Sequence, residues 1–417
     1  MKQKKRNCCE LSRLRLWKKI NFEIFMRTLT ESSIILTSFL VNRLFYRKML
    51  PPPSDIKKIL VVKLDHIGDV LLSTPVIINL RLHYPYAHIA MLVGSWSKQA
   101  IERNPYIDEI LCYDSPFFRR SGRGSTLKDV MQILRRLKSE WYDLIVELRG
   151  DFLTLILAML RGGRYRLDRS TQRVLKKLGN PPCPPLIKGG EVGLEGEPVH
   201  PEHEVEINLD VLKAAGIPIT SRQIFFNIPS ESQTWAKDFL SELGIDASKP
   251  IVAIHPGSPV PLKRWPAKRF AKLADILIKR KMQILFLGVS AEKGLVKEIQ
   301  AQMHHNSVNI AGRTNLQQLG AVLQNCQLFI GNDSGPMHIA AAVGTRVIGL
   351  FGPSSPQRFG PFGDNCTAIR KPPHPPVKGG KSPDCQPCMK EKCRFGEEGC
   401  IVEISVEDVI NVIRDEK

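Results

Sequence analysis

The sequence predicts an α/β protein of two doubly wound parallel sheets facing each other across a cleft, preceded by a basic helical extension. Three observations predict it. Short apolar runs alternate with stretches of helical spacing along most of the chain. That grammar is read twice, once from residue 57 and again from residue 251. The 417 residues exceed one ordinary core and suit two. The expected division is an extension over residues 1–56, a first unit over 57–228 and a second over 229–417.

In the first unit, Lys58–Leu64 (KILVVKL) reads as a buried strand, Asp65–Asp69 as a turn, and the segment from Val70 to His83 as a helix. His88–Val93 and Glu109–Tyr113 read as strands. Leu127–Glu140 carries Leu127, Val130, Met131, Leu134 and Leu137 at helical spacing, Leu144–Glu147 is a strand, and an apolar helix follows through Leu160. In the second unit, the strands are Ile251–His255, Ile284–Leu287, Leu328–Gly331 and Val347–Leu350. The helices are Pro266–Lys281, with proline in its first turn, then Ala291–Met303, Leu316–Asn325, Met337–Val343 and Val406–Arg414. Two similar segments, Pro181–Gly190 (PPCPPLIKGG) and Pro372–Gly380 (PPHPPVKGG), cannot continue a helix or a central strand and read as loop insertions.

Charge narrows the partners. The formal net charge is +19, and residues 1–58 hold 14 Lys or Arg against 4 Asp or Glu, more than half of that excess. Anionic partners are implied: a phosphorylated substrate, an acidic membrane surface or nucleic acid. Aromatic content of 7% and the lack of an RNA-binding or zinc-finger signature weigh against nucleic acid. Trp17, Ile20, Ile24, Phe25 and Met26 alternate with Arg13, Arg15, Lys18, Lys19 and Arg27, which suits either an amphipathic helix on an anionic membrane or a helix packed on the protein itself. Ser32–Val41 is about half the length of a spanning helix. With scattered cysteines and no signal-peptide pattern, a cytoplasmic location is expected.

Three strand-to-helix turns carry the chemistry. In Lys63-Leu64-Asp65-His66-Ile67-Gly68-Asp69, Gly68 permits a tight turn, and Asp69 reads either as an N-cap or as a base aimed into the cleft. In His255-Pro256-Gly257-Ser258, followed by Lys263-Arg264-Trp265-Pro266, the turn offers N–H groups and a hydroxyl to phosphate oxygens, and Lys263 a point charge. The alternative there is a solvated surface loop. In Gly331-Asn332-Asp333-Ser334-Gly335-Pro336-Met337-His338, a helix N-terminus forms an anion site, with simple capping by Asp333 or Ser334 as the alternative.

The order of GDV…TP at Gly68–Pro75, HPGS…KRWP at His255–Pro266, GNDSGPMHIAAA at Gly331–Ala342 and LFGPSSP at Leu350–Pro356 resembles glycosyltransferase family 9, the ADP-heptose–lipopolysaccharide heptosyltransferases. Residues 104–109 (NPYIDE) and 142–145 (YDLI) fit it too, and the likeness runs from about Lys57 to Val412. It implies a GT-B fold of two Rossmann-like domains, the first for the acceptor and the second for an ADP-sugar. It implies inversion at the anomeric carbon, with no cofactor and no metal required. Asp69 resembles the general base, with Lys63 and Gly68 in its turn on the acceptor side. Ser258 and Lys263 resemble donor-phosphate contacts, Glu292 is placed for the ribose, and Asp333, Ser334, Gly335 and His338 resemble the remaining nucleotide-sugar contacts. The acceptor implied is an anionic glycolipid of the lipid A–Kdo type, reached by a monomer at the cytoplasmic face of the inner membrane.

The chain departs from that pattern at Arg346, where proline is expected, in the extension, in the two insertions and in the basic stretch 162–170. Cys385, Cys388, Cys393 and Cys400 could hold a structural zinc, although their spacing is not that of a zinc ribbon; disulfides or packed thiols are the alternatives. Other functions compatible with the sequence are a nucleotide-sugar epimerase or hydrolase on the same fold, and a non-catalytic sugar- or nucleic-acid-binding protein.

Overall fold

The computed structural model describes residues 50–114, 127–150, 164–169, 203–371, 393 and 400–414. The N-terminal extension, the helix expected through Leu160 and the two Pro-Lys-Gly segments lie outside the described residues. Among the described residues no helix is long and apolar enough to cross a membrane.

Two all-parallel sheets form the framework. The first contains β1 (Lys58–Val62), β2 (His88–Val93), β3 (Glu109–Cys112), β4 (Leu144–Glu147) and β5 (Tyr165–Asp168), in the order β3-β2-β1-β4-β5. The second contains β6 (Ile251–His255), β7 (Gln283–Phe286), β8 (Val308–Asn309), β9 (Leu328–Asn332), β10 (Arg346–Leu350) and β11 (Cys366–Ile369), in the order β11-β10-β9-β6-β7-β8. In each sheet the first strand lies next to the fourth, so the winding reverses between them. Ligand crevices of open α/β sheets form at the carboxyl ends of the strands at such a reversal.

The strand sequences read as continuous apolar runs because both faces are covered. In β1, Ile59 and Val61 enter one core cluster and Leu60 and Val62 another. In β6, Val252 and Ile254 pack on the outer core of the second sheet, while Ile251 and Ala253 join the cluster that also holds Ile59 and Val61. One apolar core is therefore shared by both units.

The helices are α1 (Ile67–Leu71), α2 (Thr74–His83), α3 (Leu127–Ser139), α4 (Glu204–Lys213), α5 (Ser230–Glu242), α6 (Ala267–Lys279), α7 (Lys293–Ala301), α8 (Leu316–Gln324), α9 (Gly335–Ala342), α10 (Pro356–Phe359) and α11 (Val406–Arg414). The single helix expected from Val70 to His83 is two helices, and the first starts earlier. The Ser73 hydroxyl donates to the Val70 carbonyl and the Thr74 hydroxyl to the Leu71 carbonyl, both at 2.7 Å, and Pro75 has no N–H to continue the ladder. The helix expected at 266–281 starts after Pro266 and ends at Lys279; Lys281, at φ 68°, turns the chain into β7. β5, α4, α5, β8 and β11 were not expected from the sequence. Arg346 opens β10 and donates through Nη2 to the Val412 carbonyl at 2.9 Å, a bond that proline could not make.

Candidate functional site

The two winding reversals face each other. α1, just beyond β1, packs against α9, just beyond β9. A Cβ on Gly68 would lie 2.6 Å from His338 Cδ2, and one on Gly335 3.5 Å from Ile67. Gly68 is thus required by the close approach of the His338 ring.

Asp69 is the third residue of α1. The N-cap is His66, whose own side chain makes no capping bond, and Asp69 lies inside the helix, so the capping alternative for Asp69 is not what the chain adopts. Burial pushes the Asp69 pKa up, Asp65 adds to this, Lys63 opposes it, and Glu204 and Asp333 raise it further, to about 7. A carboxyl at that value exchanges a proton near neutrality.

Lys63 follows β1 and is wholly buried. Its ammonium lies 3.3 Å from Glu204 Oε1 and 3.7 Å from Asp65 Oδ2, and donates to the Leu148 carbonyl at 3.2 Å. It therefore reaches no cleft surface, and its charge is felt by Asp65, Glu204 and Asp69. Glu204, the first residue of α4, also receives Arg169 on both oxygens and Arg358 Nε at 3.1 Å. Burial works against its ionisation, but Arg169, Lys63 and Arg358 hold its carboxyl well below the usual range.

On the facing edge, Ser258 is buried. Its hydroxyl accepts from the Val260 amide at 3.3 Å and its carbonyl from Arg264 Nε at 2.7 Å. Asn332, fully buried, ties this loop down: its amide donates to the Pro256 carbonyl at 2.7 Å and its oxygen accepts from the Trp265 amide at 3.1 Å. Lys263 Nζ sits 2.5 Å from Asp333 Oδ2, which also accepts from the Ser354 hydroxyl at 2.6 Å. Ser334 holds the N-cap position of α9 without capping it. Its hydroxyl donates to the Asn332 carbonyl at 3.0 Å and lies 3.1 Å from His255 Nδ1. The α9 amides are left unbonded by that side chain.

Glu292 ends a short 3-10 turn, Ser290–Glu292, and accepts from the Val289 amide at 2.8 Å with His255 Nε2 at 3.4 Å. Burial raises its pKa, but His255, the Val289 amide and Arg264 outweigh this and keep the carboxyl below its ordinary value. A Cβ on Gly257 would stand 1.9 Å from Glu292 Oε1, so the absence of a side chain there admits the carboxylate. His338 is buried, and burial pushes its pKa down to about 4, so the ring is neutral near pH 7. Its Nδ1 has no hydrogen-bond partner among the described residues.

The sequence-predicted site residues thus lie along two facing edges: Lys63, Gly68 and Asp69 on the first, Ser258, Lys263, Glu292, Asp333, Ser334, Gly335 and His338 on the second. Glu204, Arg169 and Arg358 were not singled out from the sequence; His255 and Ser354 stand in the motifs HPGS and LFGPSSP but were given no role of their own. Glu204 carried one weak signal, an acidic residue heading a segment with Val205, Leu209 and Leu212 at helical spacing. Among the described residues no group of three or more His, Cys, Asp or Glu could hold a metal. Cys385 and Cys388 of the four-thiol set lie outside the described residues.

The pattern of glycosyltransferase family 9 (heptosyltransferase) matches residues 197–396. Lipooligosaccharide heptosyltransferase 2 of Haemophilus influenzae is 28% identical over 323 residues, covering 75% of this chain and 88% of that protein. Lipopolysaccharide heptosyltransferase 3 of Escherichia coli is 29% identical over 301 residues, covering 72% and 83%. The crystal structure of a family 9 glycosyl transferase from Veillonella parvula superposes with a TM-score of 0.70 at 26% identity, over 88% of this chain and 98% of that one. The E. coli ADP-heptose lps heptosyltransferase II shares the fold with a TM-score of 0.59 at 22% identity, over 86% and 98%.

Proposed function

The chain belongs to glycosyltransferase family 9 and is a glycosyltransferase of GT-B fold, and from that premise we propose that it transfers a heptose from an ADP-heptose donor, with inversion, to the inner core of lipopolysaccharide. The observation that carries the mechanism is Asp69, a carboxyl with a pKa of about 7 facing the Lys263–Asp333–Ser334 cluster across the cleft.

An acceptor hydroxyl oxygen attacks the anomeric carbon from the first unit's side. Its proton passes to Asp69, and the bond from the anomeric carbon to the β-phosphate oxygen breaks on the opposite face. The electron pair leaves with ADP. Lys263, the Ser258 turn and the Gly335 amide at the head of α9 meet the charge that grows on the diphosphate, fixed in place before the reaction. Lys263 exchanges Asp333 for phosphate, and Ser354 keeps a hydrogen bond on Asp333. Glu292, held by His255, takes the ribose hydroxyls. On this reading the leaving charge is met by protein groups without a metal. Residues 57–228 form the acceptor half and 229–417 the donor half, and closure between them excludes water from the donor. The acceptor is an anionic glycolipid at the cytoplasmic face of the inner membrane, approached by a monomer whose extension over residues 1–56 binds the anionic surface.

Calorimetric titration with ADP, UDP and GDP, followed by a transfer assay with ADP-heptose and a lipid A–Kdo acceptor, tests the reading. Preference for ADP with transfer of heptose supports it. Preference for UDP or GDP keeps the glycosyltransferase and removes the heptose donor.

A further inference from the structure

Glu204 gathers three cations from three parts of the chain. It is 2% exposed at the head of α4. Arg169, the residue after β5, grips both carboxylate oxygens, with Nη2 2.9 Å from Oε2. Lys63, the residue after β1, lies 3.3 Å from Oε1. Arg358 belongs to α10, among the loops at the carboxyl edge of the second sheet, and its Nε lies 3.1 Å from Oε2. A buried carboxylate with this many partners is firmly held, and removing any one member leaves uncompensated charge.

The preceding residue makes the same crossing. His203 Nδ1 accepts from the Val205 amide at 3.2 Å, which leaves Nε2–H to donate to the Gly360 carbonyl at 3.1 Å. Its ring also lies 4.8 Å from that of Phe362. Two adjacent residues of the first unit therefore hold the segment 358–362 of the second. Through Lys63 the same carboxylate reaches the Asp69 turn, since Lys63 and Glu204 both act electrostatically on Asp69.

We propose that Glu204 is a positioning residue for the transfer: one carboxylate fixes Lys63 beside the proton acceptor Asp69 and anchors Arg358 from the facing half, setting acceptor and donor edges in register. The inference rests on the transfer reading above and extends it to residues that touch neither substrate. The charged groups acting on Asp69 are Asp65 and Lys63 just beyond β1, Glu204 from α4 and Asp333 from the β9–α9 turn, while His338 packs on the neighbouring Gly68. The turn Ser95–Ala100 also packs on α1, but its Lys98 is directed to Glu102 at 3.9 Å. Glu204 is thus the charge on Asp69 that also bonds the second unit through Arg358.

The test compares Glu204→Gln, Arg358→Gln and Arg358→Lys in the full chain. It reads kcat and KM for the ADP-sugar, the pH profile of kcat/KM, and the titration of the Asp69 carboxyl by carbon-13 NMR, assigned by its loss in Asp69→Asn. Glu204→Gln removes a negative charge near Asp69 and releases Lys63 to act on it, so the Asp69 midpoint moves acidward by about one pH unit. kcat falls at least about tenfold from misalignment while KM changes little. Arg358→Gln leaves Glu204 less compensated, so the midpoint moves the other way by a smaller step and kcat falls; Arg358→Lys restores part of it. Should Glu204→Gln fail to fold, the Arg358 pair, on a part-exposed side chain, carries the test. An Asp69 midpoint and a kcat unchanged in the folded variants overturn the inference, whatever happens to thermal stability. A wild-type chain without transfer activity removes the transfer reading instead, and the Asp69 titration still decides the link to Glu204.

Discussion

At the carboxyl edge of the first sheet, Lys63 and Arg169 are buried and both bonded to Glu204, and Lys63 and Glu204 act on a carboxyl, that of Asp69, whose pKa is raised to about 7. At the carboxyl edge of the second, Gly257, Ser258, Lys263 and Ser334 present small side chains, amides and one movable ammonium, cross-braced by Asn332 and His255. The same winding reversal is furnished in two ways. The first edge is electrostatically saturated and suited to tuning one proton; the second is open to an anion. Topology supplies the place, and the side chains after each strand decide what the place does.

The contrast breaks most visibly at Asp69. Asp69→Asn is expected to lower kcat by about 10²–10⁴ while ADP affinity stays at the wild-type value by calorimetry; a large loss of ADP affinity would make Asp69 part of the nucleotide site instead. The same side chain gives stability a pH dependence of definite sign. Its pKa lies above the ordinary 3.8, so the fold favours the protonated form. That stabilisation is complete below about pH 4 and is lost as pH rises through about 7. Wild type and Asp69→Asn should therefore unfold alike near pH 4, and the variant should be more stable by on the order of 2–4 kcal/mol at pH 8, as denaturant melts at the two pH values would read. Wild-type kcat/KM should rise over the same interval as Asp69 ionises.

The second edge answers to different probes. Lys263→Ala should weaken ADP binding about 10–100-fold and leave the midpoint of the pH profile where it was; a shifted midpoint with unchanged ADP affinity would reverse the assignment of the two edges. Gly257→Ala should push the Glu292 carboxylate off His255 and the Val289 amide, with an affinity loss of about fivefold, the worth of roughly one hydrogen bond. Away from both edges, Arg346→Ala loses the bond to the Val412 carbonyl and should cost about 1 kcal/mol by denaturant melt, with kinetics unaltered.

Much of the frame could be read from the chain. The strands at 88–93, 144–147 and 251–255 and the helix at 406–414 coincide with their expected limits, because runs as short as HIAMLV and IVAIH suit a buried strand rather than a helix and VEDVINVIR has one apolar stripe. Three of the elements that escaped are of another kind. β8 is two residues long, β5 is Tyr-Arg-Leu-Asp with its charges buried, and α4 buries Glu204 and Glu206. Hydrophobic periodicity is blind to a strand or helix whose interior face is polar and satisfied by distant partners. The site divides in the same way. Asp69, Lys263, Asp333 and Ser334 stand in strand–turn–helix segments and could be named. Arg169, Glu204 and Arg358 matter through one another, and nothing local to any of them says so.

Ile401, Ile404 and Val409 are inaccessible to solvent, and the Ile404 carbonyl accepts from Trp265 Nε1 at 2.8 Å and from Arg269 Nη1 at 2.7 Å. Residues 400–414 thus close one side of the outer core, against α6 and β11. For a chain made from its N-terminus this sets a timetable. The first sheet and α4 are complete while the second is still being translated. The part of its outer face that this segment covers stays open until Ile404 is added, roughly 35 residues after β11 ends, or about 2–7 s at ordinary elongation rates. During that interval the sides of α6 and β11 on which this segment packs lie uncovered, and it is there that a nascent copy of this chain is most exposed to association with its neighbours.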